Sequence, residues 1–371
     1  MKLLFIHPSV ELYGADKILL YILEILHKDN EITVLLPKDG ILVQYIKKNI
    51  SSKIDIVLRE DMPIVHSKIG IKKLITLPLW IRKFSTVFEK SSFDFVYCNT
   101  LATVSLLFTN WSKIKICHVH EIIENSILNF GFSLLLKFGA SKVICVSEHV
   151  KLHLLFSKKY TVVHNGIPDL AQSKILENEK TNSYKVRFVL PGRYMPKKGQ
   201  WFLIEALKKL SEDELNKCEF LLYGSPPPNR LELGEELKTL VTSSNLMSYV
   251  HLFPFTNDIN EIYENADVIL IPSIMADPFP TTVLEAMMFS KPLISTNHGG
   301  ASEIIDDNFG KLISPNDTDA FVNAIRYFIK NISCLCEFGK NARKKYENYL
   351  TVNHFKNRFI NELFGEKYEK N

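Results

Sequence analysis

Two cations, two acids, and a glycine pair with a third acid follow one another along the second half of this chain: Arg193 and Lys198, then Asp277 and Glu285, then Gly299-Gly300 with Glu303. The stretch from Asp277 to Glu303 reads DPFPTTVLEAMMFSKPLISTNHGGASE and follows an aliphatic run, Val268 to Ile271, that stops at Pro272. A short apolar run closed by proline reads as a buried parallel strand, and Thr281 to Phe289 carries apolar residues at helical spacing. Asp277 then belongs to the loop at a strand's carboxyl end. The next run, Pro292 to Ser295, ends in Asn297-His298-Gly299-Gly300, where glycines allow a tight turn and a close backbone approach. Open parallel sheets bind their ligands at such strand ends.

The chemistry that fits is recognition of a polyhydroxylated anion. Glu285, one turn into its helix, can accept hydrogen bonds from a vicinal diol such as a ribose. Asp277 and Glu303 can hold other hydroxyls, with the Phe279-Pro280 backbone beside them. The amides of Thr281 and Thr282 open a helix N-terminus, which favours phosphate. The loop Pro191 to Gly199, PGRYMPKKG, places Arg193 and Lys198 around a glycine turn before a helix from Gln200 to Leu210. Cations so placed suit a diphosphate, whose charge is expensive to leave uncompensated in a cleft. Each residue alone reads equally well as a solvated surface group. Their order and spacing together point to a nucleotide sugar.

The surrounding chain alternates strands with helices. Lys2 to Ile6 is a strand, Pro8 to Asp16 a loop with Gly14, and Ala15 to His27 an amphipathic helix. One glycine is not a dinucleotide fingerprint, but Gly14 can still bring an amide to a phosphate. Strands follow at Ile32 to Leu36, Ile54 to Leu58, Phe93 to Cys98 and Lys115 to Val119, the last leading into His120-Glu121. His120 is the candidate there for sugar hydroxyls or phosphate oxygens. Val143 to Val146 and Thr161 to Val163 complete the first half. In the second half, Val186 to Leu190 restarts the alternation. Glu219 to Tyr223 ends at Gly224, and Val250 to Phe253 leads to a turn whose backbone can edge a nucleobase. Lys311 to Ile313 closes the sheet. Asp317-Thr318-Asp319 stands at a helix start and reads as a cap, not a metal motif. The tail from Ala342 to Phe364 reads as helical.

A length of 371 residues suggests two domains. The boundaries expected are 1–170, a polar linker at 171–185, and 186–349, with a C-terminal helix at 350–371 joined to the first domain. Composition is that of a globular protein, 46% hydrophobic and 23% charged. Residues 1–180 hold 23 Lys and Arg against 17 Asp and Glu, so the net charge of +4 is concentrated in the first half. That half can face an anionic surface or acceptor. A basic amphipathic segment at 68–88, with Lys72, Lys73, Arg82 and Lys83 among leucines and aromatics, suggests peripheral membrane contact, although Pro78 interrupts it. Nothing approaches the length of a membrane span or signal peptide, so a cytoplasmic location at the inner face of the membrane is expected. The six cysteines mostly sit in apolar runs without metal-ligand spacing. No nucleic-acid partner is expected.

These motifs, in order, resemble the retaining glycosyltransferases of GT-B architecture in the group 1 family, also called family 4. The resemblance runs through Gly192-Arg193 with Lys198-Gly199, Asp277 and Glu285, and Gly299-Gly300 with Glu303. It continues more weakly through Gly14, His120-Glu121, Ser147-Glu148 and Asn165-Gly166-Ile167. It implies an α/β protein of two Rossmann-like parallel-sheet domains facing a central cleft. It also implies a UDP, GDP or dTDP sugar as donor, a saccharide or lipid-linked oligosaccharide as acceptor, and no metal or other cofactor. Arg193 and Lys198 would hold the diphosphate, Glu285 the ribose, Asp277 and the Phe279–Thr282 backbone the sugar, and His120 would lie near the reacting carbon. Two residues depart from the family pattern. The first of its paired acids is usually glutamate where this chain has Asp277, and a glycine usually stands at Pro280. Rival readings are a nucleotide-sugar epimerase of similar architecture and a sugar-binding protein without catalysis.

Overall fold

The computed structural model describes residues 1–12, 14–65, 71–171 and 185–365, with the side chains of 71–75 also left aside. Residues 172–184 of the expected linker at 171–185, the start of the expected membrane segment at 68–70, and the side chains of Lys72, Lys73 and Leu74 lie outside what is described. The chain divides into two compact units, 1–165 with 356–371, and 166–355.

In the first unit, strands β1 (Lys2–Ile6), β2 (Glu31–Leu36), β3 (Asp55–Leu58), β4 (Phe95–Asn99), β5 (Ile114–Val119), β6 (Lys142–Cys145) and β7 (Thr161–Val162) form one sheet in the order β3-β2-β1-β4-β5-β6-β7. Every pairing is parallel. Such sheets are covered on both faces, which is why β1 and β4 read as uninterrupted apolar runs and are buried almost throughout. Helices α1 (Gly14–Leu26), α2 (Ile41–Tyr45), α3 (Ile71–Phe84), α4 (Ser126–Gly139) and α5 (Glu148–His153) connect the strands. Asn125 and Ser147 cap α4 and α5 by accepting backbone N–H bonds. Four of the cysteines, Cys98, Cys117, Cys145 and Cys218, are buried thiols, and burial pushes Cys98 and Cys145 up to about 12.

The second unit repeats the plan. Strands β8 (Val186–Pro191), β9 (Cys218–Tyr223), β10 (Val250–Phe253), β11 (Val268–Ile271), β12 (Leu293–Thr296) and β13 (Gly310–Ile313) are ordered β10-β9-β8-β11-β12-β13, again all parallel. Around them lie α6 (Gln200–Leu207), α7 (Glu212–Leu215), α8 (Glu232–Ser243), α9 (Ile259–Glu264), α10 (Thr281–Met288), α11 (Thr318–Lys330) and α12 (Leu335–Tyr349). Phe188 stacks on Phe220 at 5.2 Å between ring centres, within a core that β8 and β9 share with α6 and α11. Asp317 caps α11 through Ala320 N at 2.9 Å, as its sequence position suggested.

The tail is not one helix. It breaks after α12 and resumes as α13 (Val352–Phe364) because the backbone between them is used elsewhere. Ile167 N donates to Leu350 O at 3.0 Å and Ile167 O accepts from Val352 N at 2.9 Å. Gly166 passes so close that a Cβ there would stand 2.3 Å from Thr351 O. Beyond this crossing Phe359 packs on Tyr97, and Phe364 packs on Phe95.

In both sheets the strand order reverses once, between β1 and β4 and between β8 and β11. The loops leaving such neighbours diverge to opposite faces, and this opens a crevice at their carboxyl ends.

Candidate functional site

Lys198 and Asp277 lie at the second unit's crevice, one on the loop after β8 and the other on the loop after β11. Their Nζ and Oδ2 atoms are 2.9 Å apart. Close backbone contacts hold the two loops. The turn Pro196–Lys198 ends at Gly199, whose φ of 88° is in the left-handed region. A Cβ at Gly199 would stand 1.9 Å from Pro272 O. Ile274 N donates to Lys197 O at 2.9 Å beside it. The buried Gln200, first residue of α6, donates from Nε2 to the carbonyls of Gly192 and Arg193. This folds the cationic loop back on the helix start.

The third loop, after β12, locks Asp277 from the other side. Gly300 N donates to Asp277 O at 2.9 Å, and a Cβ on Gly299 would stand 2.2 Å from that same oxygen. Thr296 and His298 both reach Ser273 O, at 2.9 and 2.7 Å. Phe279 is buried beneath Gly300. Pro280 is the N-cap of α10, with Thr281 and Thr282 half-buried in its first turn and Glu303 closing the turn Gly299–Glu303. Glu285 Oε2 accepts from Tyr263 Oη at 2.7 Å. Burial first, and then the Glu285 charge, hold the Tyr263 hydroxyl protonated, so it stays a donor and orients the carboxylate.

The structure therefore brings Lys198, Asp277, Phe279, Pro280, Thr281, Thr282, Glu285 and Glu303 to neighbouring segments of one unit. Arg193 is on the same loop as Lys198 and is exposed. Gly224 and Phe253 belong to the ends of β9 and β10, where packing accounts for both. A Cβ at Gly224 would meet Gly192 O at 2.1 Å, and Phe253 stacks on Tyr223 while its carbonyl accepts from Tyr194 Oη. Gln200, Ser273 and Tyr263 escaped the sequence reading: Ser273 and Tyr263 work through partners more than 20 residues away, and Gln200 through main-chain carbonyls, which no residue type announces.

Gly14 and His120 belong to the first unit. Gly14 is exposed, opens α1, and has nothing within 4 Å of a built Cβ, so no packing contact requires glycine there. His120 follows β5 and is partly exposed. Its Nε2 is 3.0 Å from Asn99 Oδ1, and its ring lies 4.1 Å from that of His118. His118 is fully buried with Nδ1 2.6 Å from Tyr97 Oη, and burial pulls its pKa down to about 3. Burial, then the neighbouring His118 and His7, holds His120 well below the usual histidine range. Glu121 accepts from Leu101 N with both oxygens, and burial raises it to about 6.

Residues 172–345 match the family model of the glycosyl transferases group 1. That stretch, a little under half of the chain, is similar to the group 1 glycosyl transferases. Among curated relatives, an uncharacterized glycosyltransferase of Methanocaldococcus jannaschii is 25% identical over 76% of this chain and 79% of that protein. An Escherichia coli protein named UDP-Gal:alpha-D-GlcNAc-diphosphoundecaprenol alpha-1,3-galactosyltransferase is 29% identical over 57% of this chain. This chain spans about half of that relative's length, 54%. Among solved structures, Anabaena HepE in complex with UDP superposes with a TM-score of 0.80 at 21% identity, covering 98% of this chain and 99% of that one. The lipopolysaccharide glycosyltransferase WaaG superposes with a TM-score of 0.69 at 16% identity, covering 98% and 100%. At these identities the superpositions establish the fold, which is GT-B. Among the described residues no helix is long and apolar enough to cross a membrane.

Two predictions follow from this geometry. Gly199→Ala should destabilise the second unit by about 2 kcal/mol or more, because it combines a left-handed backbone with a Cβ inside a carbonyl's radius. An unchanged urea midpoint would contradict the clamp. His118 is neutral when folded and takes up a proton near pH 6.5 when unfolded, so its contribution to stability is whole above 6.5 and falls as pH drops toward about 3. Between pH 7.5 and 5.5 the wild type should lose about 1.4 kcal/mol more than His118→Gln in urea titrations.

Proposed function

We propose that this protein is a retaining, metal-independent glycosyltransferase that moves a sugar from a nucleoside diphosphate to a saccharide or lipid-linked saccharide acceptor. The observation that carries the reading is the Lys198–Asp277 pair at the crevice between β8 and β11. A cation there can neutralise a diphosphate while the carboxylate beside it takes sugar hydroxyls. In this reading Arg193 and Lys198 stabilise the leaving diphosphate as its charge grows, the part a divalent ion has in other transferases. Glu285, with one oxygen held by Tyr263, binds the ribose. The backbone from Phe279 to Thr282 holds phosphate and sugar, and Pro280 removes one amide that this helix start would otherwise offer. His120 acts on a sugar hydroxyl. The acceptor oxygen bonds to the anomeric carbon on the face that the diphosphate leaves, and the acceptor's proton passes to the departing phosphate oxygen.

The family domain and the names of the relatives support a role in bacterial surface polysaccharide synthesis with a UDP, GDP or dTDP sugar as donor. HepE has been solved with UDP and with UDP-glucose, which favours UDP as the first donor to test.

The acceptor side extends to a membrane surface. On α3, Leu77 and Phe84 turn into the core and Trp80 donates to Asp61 O, so that helix offers less apolar surface than its sequence suggested. The exposed apolar groups continue on α4, at Ile127, Phe130 and Phe138, beside a groove of about 990 Å³ between α3 and α4. Arg82 lines it, and Lys137 lies over the Phe138 ring further along α4, giving the mixture of apolar and cationic groups that suits an anionic bilayer.

Lys198→Ala should lower transfer by about 10²- to 10³-fold, as expected when a group stabilising the leaving charge is lost. Activity within a factor of two of wild type would remove it from the mechanism. An epimer formed from donor alone, without acceptor, would replace transfer by epimerisation. A triple change of Ile127, Phe130 and Phe138 to serine should weaken cosedimentation with phosphatidylglycerol vesicles about tenfold. Wild-type protein that ignores these vesicles would end the membrane reading.

A further inference from the structure

Behind His120 runs a chain of buried polar groups that the proposed transfer does not use. Asp16 Oδ1 lies 2.6 Å from His7 Nε2, and His7 Nδ1 lies 2.9 Å from Asn99 Nδ2. Asn99 Oδ1 then lies 3.0 Å from His120 Nε2. His7, Asp16 and Asn99 are 1%, 2% and 0% exposed, whereas His120 is partly open. The chain thus has one end accessible. It is drawn from α1, the loop after β1, the end of β4 and the loop after β5, so it sits at the reversal of strand order in this sheet.

The protons in this chain follow from its chemistry. Asn99 Nδ2 is also 3.2 Å from the carbonyl of Ala15, which can only accept, so the amide group and not the oxygen must face Ala15 and His7. His7 Nδ1 is then the acceptor, and its proton is on Nε2, donated to the Asp16 carboxylate. On the other side Asn99 Oδ1 can only accept, so His120 must carry its proton on Nε2. A neutral His120 is left with its lone pair on Nδ1. Burying three polar side chains so completely is costly unless all are bonded, and an apolar set would hold these strands together as well.

We propose that Asp16, His7 and Asn99 are positioning residues that fix His120 as the neutral Nε2–H tautomer. His120 then meets its ligand as a hydrogen-bond acceptor through Nδ1. The group it suits is a hydroxyl of the sugar or acceptor rather than an anionic phosphate oxygen, which needs a donor. This rests on the part given to His120 in the proposed transfer.

The test uses the full chain labelled with ¹⁵N-histidine, with His120 assigned by comparison with His120→Ala, and steady-state kinetics alongside. In wild type, His120 should show the Nε2–H tautomer from pH 5.5 to 8. Asn99→Ala should mix the tautomers and lower kcat by about 10- to 100-fold with the donor KM little changed, as for a misplaced group. Asn99→Asp, equal in size, puts a carboxylate against His120 and should bring its titration into the neutral range of the kcat profile. An Nδ1–H tautomer or an imidazolium at pH 7 in wild type overturns the proposal whether or not the variants fold. If His120→Ala impairs transfer while both Asn99 variants keep wild-type kcat and tautomer, the relay is wrong and the part of His120 stands. If His120→Ala leaves transfer within a factor of two of wild type, the catalytic consequence fails, and the tautomer alone decides the relay.

Discussion

An ammonium and a carboxylate 2.9 Å apart, with side chains 34% and 27% exposed, do not hold two loops together by their attraction. Pairs so open to water contribute about 1 kcal/mol or less. The constraint runs the other way. The backbone contacts at Gly199 against Pro272 and at Gly299 against Asp277 admit no side chain, so the three loops leaving β8, β11 and β12 have little freedom to separate. Lys198 and Asp277 meet because the main chain holds the loops that carry them together. Preorganisation of this kind matters for a diphosphate, since groups already aimed at a developing charge need no reorganisation when the bond breaks.

The two sheets place polar groups at the same topological position and use them differently. In the second unit the charged atoms at the reversal are only partly buried, and the loops carrying them are tied mainly by backbone and by the amide of Gln200. In the first unit the corresponding groups are withdrawn from water and satisfied by one another, with His120 as the open member. The same fold plan therefore supplies a site suited to charge and, separately, a neutral histidine. Burial keeps His120 and His118 uncharged, which is the condition under which either can accept a hydrogen bond from a ligand or neighbour.

Most of the strands were legible because a parallel sheet covered on both faces must be apolar on both, so each strand appears as a continuous run ending at a turn residue. The acids and cations of the second unit were legible for the same reason, since they follow such runs at once. What escaped depends on contacts between residues far apart in sequence. Asn99 and His120 are separated by a whole helical connection, and His7 and Asp16, though only nine residues apart, meet across the turn from β1 into α1, which their composition does not announce. The tail misled because Ala342 to Phe364 has helical composition throughout, and only the crossing of Gly166-Ile167 at Thr351 takes its backbone out of the helix. On α3 the amphipathic pattern was real, but Leu77 and Phe84 serve the interior of the unit.

The departures from the family pattern become intelligible in this setting. Pro280 caps α10 with φ −70°, a value its ring already favours, so the helix starts without an ordering cost at that residue. The amide it lacks shifts the first free donors to Thr281 and Thr282, one step further into the helix. Asp277 reaches less far than a glutamate, yet its main-chain oxygen is fixed by Gly300 and its carboxylate rests against Lys198. A shorter acid on a rigid loop reads a narrower range of hydroxyl positions than a longer one that can adapt. Under the proposed function, discrimination among donor sugars lies in the backbone between Asp277 and Thr282 more than in the carboxylate itself.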